Sequence, residues 1–212
     1  MEPRRSPGFP AGAFVTLREA IPAVRAVARW WADFEVSGPP LPAGPVVVAA
    51  NHLSHVDPLV VTMAVERPVR FLALDELFGQ NTAFDTLLLW FGSIPLTRTG
   101  IPLSAMRTAL GELAAGGAVA MFPEGRRVAA WGDEWPRRGA AWLSVKSGAP
   151  LVPVAITGSG GVMGLEDKKL QRHPVSITRC DPLHPEDFRN LDDPVGAMTE
   201  EWALRIGEAL RK

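Results

Sequence analysis

A histidine and an aspartate separated by four residues, His52 and Asp57, are the side chains of this sequence best suited to acid-base chemistry. They follow an apolar run, Val46–Ala50, which is too short for a typical helix and indicates a buried strand. A carboxylate that hydrogen-bonds to an imidazole fixes its tautomer and supports the imidazolium formed when the ring takes a proton. The pair therefore suggests general-base chemistry, provided that the chain brings both side chains together.

The segment between His52 and Asp57 must be a turn. On one continuous helix, two residues five positions apart would point about 140° away from each other, at ~100° per residue. Asp57-Pro58 is typical of a helix start, because Asp is a good N-cap and Pro is tolerated in the first turn. We therefore place His52 on a strand-to-helix turn and expect Asp57 to cap the helix, to orient His52, or to do both.

A metal site is the main alternative interpretation of this stretch, with His52, His55 and Asp57 as ligands. The single cysteine, Cys180, is distant in sequence, and no short H-x-x-x-H or C-x-x-C spacing supports such a site. We therefore predict no metal ligands.

Length and composition predict one sizeable globular domain with an appendage. The chain has 212 residues, of which 47% are hydrophobic and 21% charged, and its net charge of -1 gives no global reason to expect nucleic acid. One cysteine excludes an intrachain disulfide and fits a reducing, cytoplasmic compartment. No apolar stretch approaches the ~20 residues of a membrane-spanning helix, and the N-terminus has no clean signal-peptide core.

The N-terminal part, residues 1–44, is predicted to be an amphipathic helical segment followed by a Pro/Gly linker. Apolar residues recur at three- and four-residue steps from Phe14 to Phe34, Pro22 divides the pattern, and arginines flank the apolar face. Such a face is suited to a membrane surface or to docking on the protein's own core, and both interpretations stay open. Residues 37–45 contain four prolines and two glycines, which preclude regular structure.

Residues 45–212 alternate short apolar runs with helical patterns, which predicts a single α/β domain with one mixed sheet flanked by helices. The predicted strands are 46–50, 69–73, 93–96, 118–122, 151–156 and 175–178. The predicted helices are 58–65, one near 84–91, 104–113, 140–146 and 199–210.

Two arginine-containing loops follow predicted strands. Arg126 and Arg127 are adjacent in Phe122-Pro123-Glu124-Gly125-Arg126-Arg127, and Arg98 ends the stretch that begins at Gly92. Guanidinium groups match phosphate oxygens bidentately, and ligands of open α/β sheets bind near strand ends. Each arginine alone is more typical of a solvated surface, but their recurrence beside the His/Asp turn indicates an anion site.

Four stretches in order and spacing resemble the motifs of the glycerolipid acyltransferase family, whose best-known member is lysophosphatidic acid acyltransferase. They are Asn51 to Asp57, Gly92 to Arg98, Phe122 to Arg127 and Ala149 to Val154. The similarity runs from about Pro45 to Ile156. A lone histidine and aspartate would be a weak signal, whereas four stretches in register are a specific one.

The resemblance implies an acyltransferase that uses acyl-CoA or acyl-carrier protein as co-substrate and needs no cofactor. His52 would be the general base and Asp57 its orienting partner, with transfer direct rather than through Ser54. Positions that bind the acceptor in this family match Arg98, Glu124, Gly125 and Arg127, and the neighbouring Arg126 is added to this candidate set. The resemblance also implies a lipid acceptor and peripheral association with the inner face of the cell membrane.

Departures from the family pattern leave the acceptor open. Arg126 and Val128 stand where the family commonly has threonine and serine, and Leu74 stands where many members have a lysine. We therefore expect acyl transfer to a lysophospholipid such as lysophosphatidic acid, with a glycolipid or a specialised metabolite as the alternative acceptor. A lipid-binding module without catalysis is the third interpretation, although binding alone does not require a base.

Overall fold

A seven-stranded mixed sheet is the framework of the described chain, which in this computed structural model comprises Ala26 and residues 33–74, 94–96, 103–167 and 169–211. The strand order is β1-β7-β6-β2-β5-β3-β4, with β6 and β7 antiparallel and all other neighbours parallel. The predicted single mixed sheet is confirmed. The strands are β1 (Phe34–Ser37), β2 (Val46–Ala50), β3 (Arg70–Leu74), β4 (Ile94–Leu96), β5 (Ala118–Met121), β6 (Leu151–Thr157) and β7 (Val175–Arg179).

Helices cover both faces of this sheet. Within the described ranges, no helix is long and apolar enough to cross a bilayer. The helices are α1 (Asp57–Val65), α2 (Leu103–Ala114), α3 (Gly139–Ser147), α4 (Ser159–Met163), α5 (Pro185–Phe188) and α6 (Pro194–Ala209).

The central strand β2 contributes to two hydrophobic cores. Val46, Val48 and Ala50 belong to the core that includes α1, whereas Val47 and Ala49 belong to the core that includes α2, α3 and α6. Side chains alternate between the faces of a strand, and a strand covered on both faces is apolar throughout. This double burial explains why the run of small and β-branched residues predicts β2 so well.

Parallel pairing brings the candidate motifs to one edge of the sheet. β5 and β6 flank β2 and run in its direction, so the loops that follow these three strands meet at their carboxyl ends. This edge is where open α/β sheets bind ligands.

The start of the sheet differs from the prediction. Phe34, expected to end the N-terminal helix, lies in β1 and pairs with Val175 of β7. The sheet therefore begins before the Pro/Gly linker, whereas the division at residue 45 put this strand in the appendage. β1 was missed because it has only four residues, two of them apolar. The helix predicted near 84–91 and nearly all of the N-terminal amphipathic segment lie outside the described residues.

Candidate active site

His52 and Asp57 contact each other at the carboxyl end of β2. His52 Nδ1 and Asp57 Oδ2 are 2.9 Å apart, and the side chains are 16% and 0% exposed, respectively. The turn thus brings the two side chains together, as a general-base interpretation requires. A buried carboxylate at Nδ1 favours a proton on that nitrogen, which leaves Nε2 as the acceptor.

Asp57 organises the turn as well as contacting the histidine. Its Oδ2 also accepts hydrogen bonds from the backbone N–H groups of Leu53 and Ser54, both at 2.7 Å. The prediction that Asp57 caps α1 is wrong: the cap position is Val56, and α1 begins at Asp57 with Pro58 in the first turn. The carboxylate therefore accepts from backbone N–H groups of the turn that precedes α1 and not from the first turn of the helix.

Side chains of the turn tie it to neighbouring elements. Asn51 is fully buried and bridges to β6, because its side-chain amide donates to Ile156 O at 2.9 Å and accepts from Ile156 N at 2.7 Å. The Ser54 hydroxyl donates to Met163 O at 2.6 Å, at the end of α4. The Ser54 hydroxyl therefore has a structural role in joining the turn to α4, and this contact does not favour Ser54 as a nucleophile.

The loop after β5 forms the second wall of the site. The Phe122 ring stacks on the His52 imidazole with centroids 3.9 Å apart, and Val128 N donates to His52 O at 2.9 Å. Phe122 also stacks on Phe71 at 6.2 Å. The imidazole is thus held on one side by a carboxylate and over one face by an aromatic ring.

Glu124 is a buried carboxyl group beside this pair. It is 2% exposed, and neither carboxyl oxygen has a hydrogen-bond partner among the described residues. Burial raises the pKa of Glu124 to about 8, although the nearby backbone N–H groups of Glu124 and His52 act to lower it, and the negative charge of Asp57 adds to the rise. A buried carboxyl group of this kind favours its neutral form near neutral pH and has hydrogen-bonding capacity left for a ligand.

Gly125 shapes the loop by its backbone. Its φ of +73° lies in the left-handed region, and a Cβ at this position would come within 2.7 Å of Arg137 Nε. The left-handed backbone conformation therefore favours glycine, and a larger residue would also have to displace the Arg137 side chain.

The candidate arginines have different surroundings. Arg127 contacts the Nε2 atom of His55 and is partly buried, whereas the exposed Arg126 forms an ion pair with Glu134. Arg98 lies outside the described residues. The structure thus brings Arg127 to the His52 turn and directs Arg126 to its own loop.

Sequence reasoning gave no role to Asn51, Phe122 or the contact of His55 with Arg127. Asn51 and Phe122 open two of the stretches that resemble the family motifs, and this is the sequence signal that could have found them. Their partners, Ile156 of β6 and the His52 ring, are brought to them only by the fold. Across the described ranges, no group of three or more His, Cys, Asp or Glu side chains is arranged to hold a metal ion.

Comparison with known proteins gives one family. A family model described as Acyltransferase matches residues 33–157. A probable 1-acyl-sn-glycerol-3-phosphate acyltransferase from Mycoplasma genitalium is 32% identical over 142 residues, covering 64% of this chain and 52% of that protein. A protein of the same description from Mycoplasma pneumoniae is 28% identical over 169 residues, covering 72% and 62%. The chain thus spans about half to three fifths of the length of these relatives.

A solved structure shares the fold. The crystal structure of the 1-acyl-sn-glycerophosphate (LPA) acyltransferase PlsC from Thermotoga maritima aligns with a TM-score of 0.75. The alignment covers 94% of this chain and 82% of that chain at 20% sequence identity. The mixed sheet and its flanking helices are therefore an arrangement already known in this class of protein.

Proposed function

Because this chain belongs to the Acyltransferase family, whose model matches residues 33–157, we propose that it moves a fatty acyl group from a thioester donor to a lysophospholipid hydroxyl. Lysophosphatidic acid is the first acceptor to test, since the relatives named above are described as 1-acyl-sn-glycerol-3-phosphate acyltransferases. The observation that carries the proposal is the 2.9 Å contact between His52 Nδ1 and the buried Asp57 carboxylate.

The chemistry follows from the free edge of the imidazole. His52 Nε2 has no hydrogen-bond partner among the described residues, so it takes the proton of the acceptor hydroxyl as the oxygen attacks the thioester carbonyl. The tetrahedral intermediate collapses with cleavage of the C–S bond, and the imidazolium returns its proton to the thiolate. Asp57 stabilises the imidazolium throughout. General-base catalysis contributes roughly 10²- to 10⁴-fold, so positioning of the reactants supplies much of the remaining acceleration.

Arg127 and Arg98 are the proposed partners of the acceptor phosphate. Arg127 is supported by its place beside the His52 turn, and no carboxylate among the described residues forms an ion pair with it. Glu124 and Gly125 complete the proposed acceptor site, with Glu124 donating a hydrogen bond from its neutral form and Gly125 allowing the loop to turn. Arg126, the last member of the candidate set, is exposed and paired with Glu134, so we propose a smaller part for it in binding the acceptor.

The donor and the location are also proposals. Acyl-CoA or acyl-carrier protein supplies the thioester, and the acceptor is met at the inner face of the cell membrane, where the amphipathic N-terminal segment binds peripherally. These assignments are supported by the sequence resemblance and by the amphipathic pattern of the sequence from Phe14 to Trp31.

An acceptor without phosphate, such as a glycolipid, is the second candidate. The ion pair between Arg126 and Glu134 favours this acceptor. A guanidinium already paired with a carboxylate does not replace the positive charge of the lysine that many family members have where this chain has Leu74. The His52 chemistry is the same for either acceptor.

Thiol release from palmitoyl-CoA tests the function, measured alone, with lysophosphatidic acid and with monoacylglycerol. The wild type, His52→Ala and His184→Ala are compared. His184 is a matched control because it is half exposed and precedes α5, next to the start of β6 and away from the proposed site.

We expect acceptor-dependent release that falls by about 10²-fold or more in His52→Ala and is unchanged in His184→Ala. Stimulation by lysophosphatidic acid alone would support the phospholipid acceptor, and stimulation by monoacylglycerol would support the second candidate. If the protein binds lipid but shows no His52-dependent thiol release, with either CoA or carrier-protein thioesters, its function would be that of a lipid-binding module.

A further inference from the structure

His55 links the two walls of the candidate site. It lies three residues after His52 in the same turn, and its Nε2 contacts Nη1 of Arg127, which is 72 positions away in the chain. Next to this contact, Val128 N donates to His52 O at 2.9 Å and joins the two loops through their backbones. The contact between His55 and Arg127 is therefore supported by a backbone hydrogen bond between the same two loops.

The direction of the hydrogen bond follows from the chemistry of its members. A guanidinium is always a donor and has no acceptor, so the lone pair of His55 Nε2 must accept and the ring proton must reside on Nδ1. An imidazolium has no such lone pair and repels the guanidinium. The contact therefore exists only while His55 is neutral.

From this geometry we propose that neutral His55 is a positioning residue that holds Arg127 for the phosphate of the acceptor, and that protonation of His55 releases it. The proposal rests on the proposed function, in which Arg127 binds that phosphate. A long side chain already held in place loses less rotamer freedom when it binds its ligand.

Burial and nearby positive charges keep His55 neutral under ordinary conditions. Burial lowers the pKa of His55 below its usual 6.5, the charges of Arg127 and His52 act in the same direction, and Asp57 alone opposes them. These groups come from the His52 turn and from the loop after β5. Arg126, on the same loop, is paired with Glu134. The contact is thus present at neutral pH and is lost as the pH falls through this lowered pKa.

Equilibrium binding of short-chain lysophosphatidic acid tests the proposal without turnover. The Kd and, in parallel, kcat are measured for the wild type, His55→Ala, His55→Gln and His55→Asn at about pH 7.5 and about pH 5.5. Gln places its amide oxygen near the position of Nε2, whereas Asn reaches only to the position of Nδ1, so the pair of amides is a matched control.

We expect the Kd at the higher pH to rise about tenfold in His55→Ala and His55→Asn, as for loss of a hydrogen bond to a charged group, and to recover in His55→Gln. The kcat should change far less than the Kd, because His55 does not touch the reacting atoms. On acidification the Kd of the wild type should rise more than that of His55→Gln. The titration of the ligand's own phosphate affects both proteins equally and therefore cancels in the ratio of their two Kd values.

Equal Kd values for the wild type and His55→Ala, or for the Gln and Asn variants, would overturn the proposal, as would a wild type that binds no lysophosphatidic acid. The histidine ring signals of His55, followed by NMR, give a second readout: its pKa should rise in Arg127→Gln, and an unchanged pKa would refute the contact. Binding that depends on His55 without transfer that depends on His52 would contradict the proposed function alone.

Discussion

Asp57 and Glu124 are two buried carboxyl groups beside one imidazole, and they differ in what surrounds them. Asp57 receives the His52 ring and the backbone N–H groups of Leu53 and Ser54, whereas Glu124 has no hydrogen-bond partner among the described residues. Carboxyl groups whose environments separate their protonation states take different roles in a site. This contrast assigns the charged role to Asp57 and the neutral donor role to Glu124.

The raised pKa of Glu124 makes a prediction for stability. From its ordinary 4.5 to the folded value of about 8, the folded protein keeps a proton that the unfolded chain has lost, so the free energy of unfolding falls as the pH rises through this window. Glu124→Gln, which cannot ionise, should be stabilising relative to the wild type by a few kcal/mol above about pH 8 and by little near pH 4.5.

Urea unfolding of the wild type and Glu124→Gln across this pH range checks the prediction. Other titrating groups cancel in the difference between the two proteins. A difference that does not change with pH would show that Glu124 is not held neutral.

At this scale the sequence predicts residue types better than their partners. His52 and Asp57 were found because their spacing and the preceding strand imply a turn. Arg126 and Arg127 are equivalent in sequence, and only the fold directs one to Glu134 and the other to His55. The protonation of Glu124 depends on burial by other segments, which the local sequence does not reveal.

The turn between β2 and α1 is held by elements distant in the chain. The Asn51 side chain hydrogen-bonds to both the N–H and the C=O of Ile156 in β6, where a neighbouring strand would otherwise do so. The Ser54 hydroxyl hydrogen-bonds to the last residue of α4. The catalytic geometry therefore depends on the register of β2 against β6, since a slip of one residue would move Asn51 to the other face.

Loss of the Asn51 amide should destabilise the protein. Asn51→Ala leaves the N–H and C=O of Ile156 buried without these partners, which costs roughly 1–3 kcal/mol for each group. The exposed Asn190→Ala is the matched control and should change the free energy of unfolding little. Urea denaturation measures both, and equal midpoints for the two variants would contradict this role of Asn51.

Elements were predicted where burial dominates the local pattern. β2 agrees at both ends, and β3, β4, β5, β6 and β7 agree within a residue, because an apolar run bounded by polar or turn residues leaves few alternatives. The missed elements, β1, α4 and α5, have only four or five residues each, and the two helices fall far short of the ~10–14 residues of an average helix. Tertiary packing, rather than local preference, forms such pieces.

The whole molecule carries both walls of the proposed site on one sheet edge. The loops after β2 and β5 and the helix after β6 converge there because these strands are parallel neighbours. The fold is shared with PlsC from Thermotoga maritima over 94% of this chain although only 20% of residues are identical. A fold retained at this identity indicates that burial patterns, more than particular side chains, specify the sheet.

A double-mutant cycle on His52 and Asp57 tests the central claim most directly. The kcat for acceptor-dependent thiol release is measured for the wild type, His52→Ala, Asp57→Asn and the double variant, with unfolding midpoints to confirm folding. We expect each single variant to lose about 10²-fold or more and the double variant to match His52→Ala, because the pair acts as one unit. An Asp57→Asn variant with unchanged kcat, or losses that multiply in the double variant, would contradict the account.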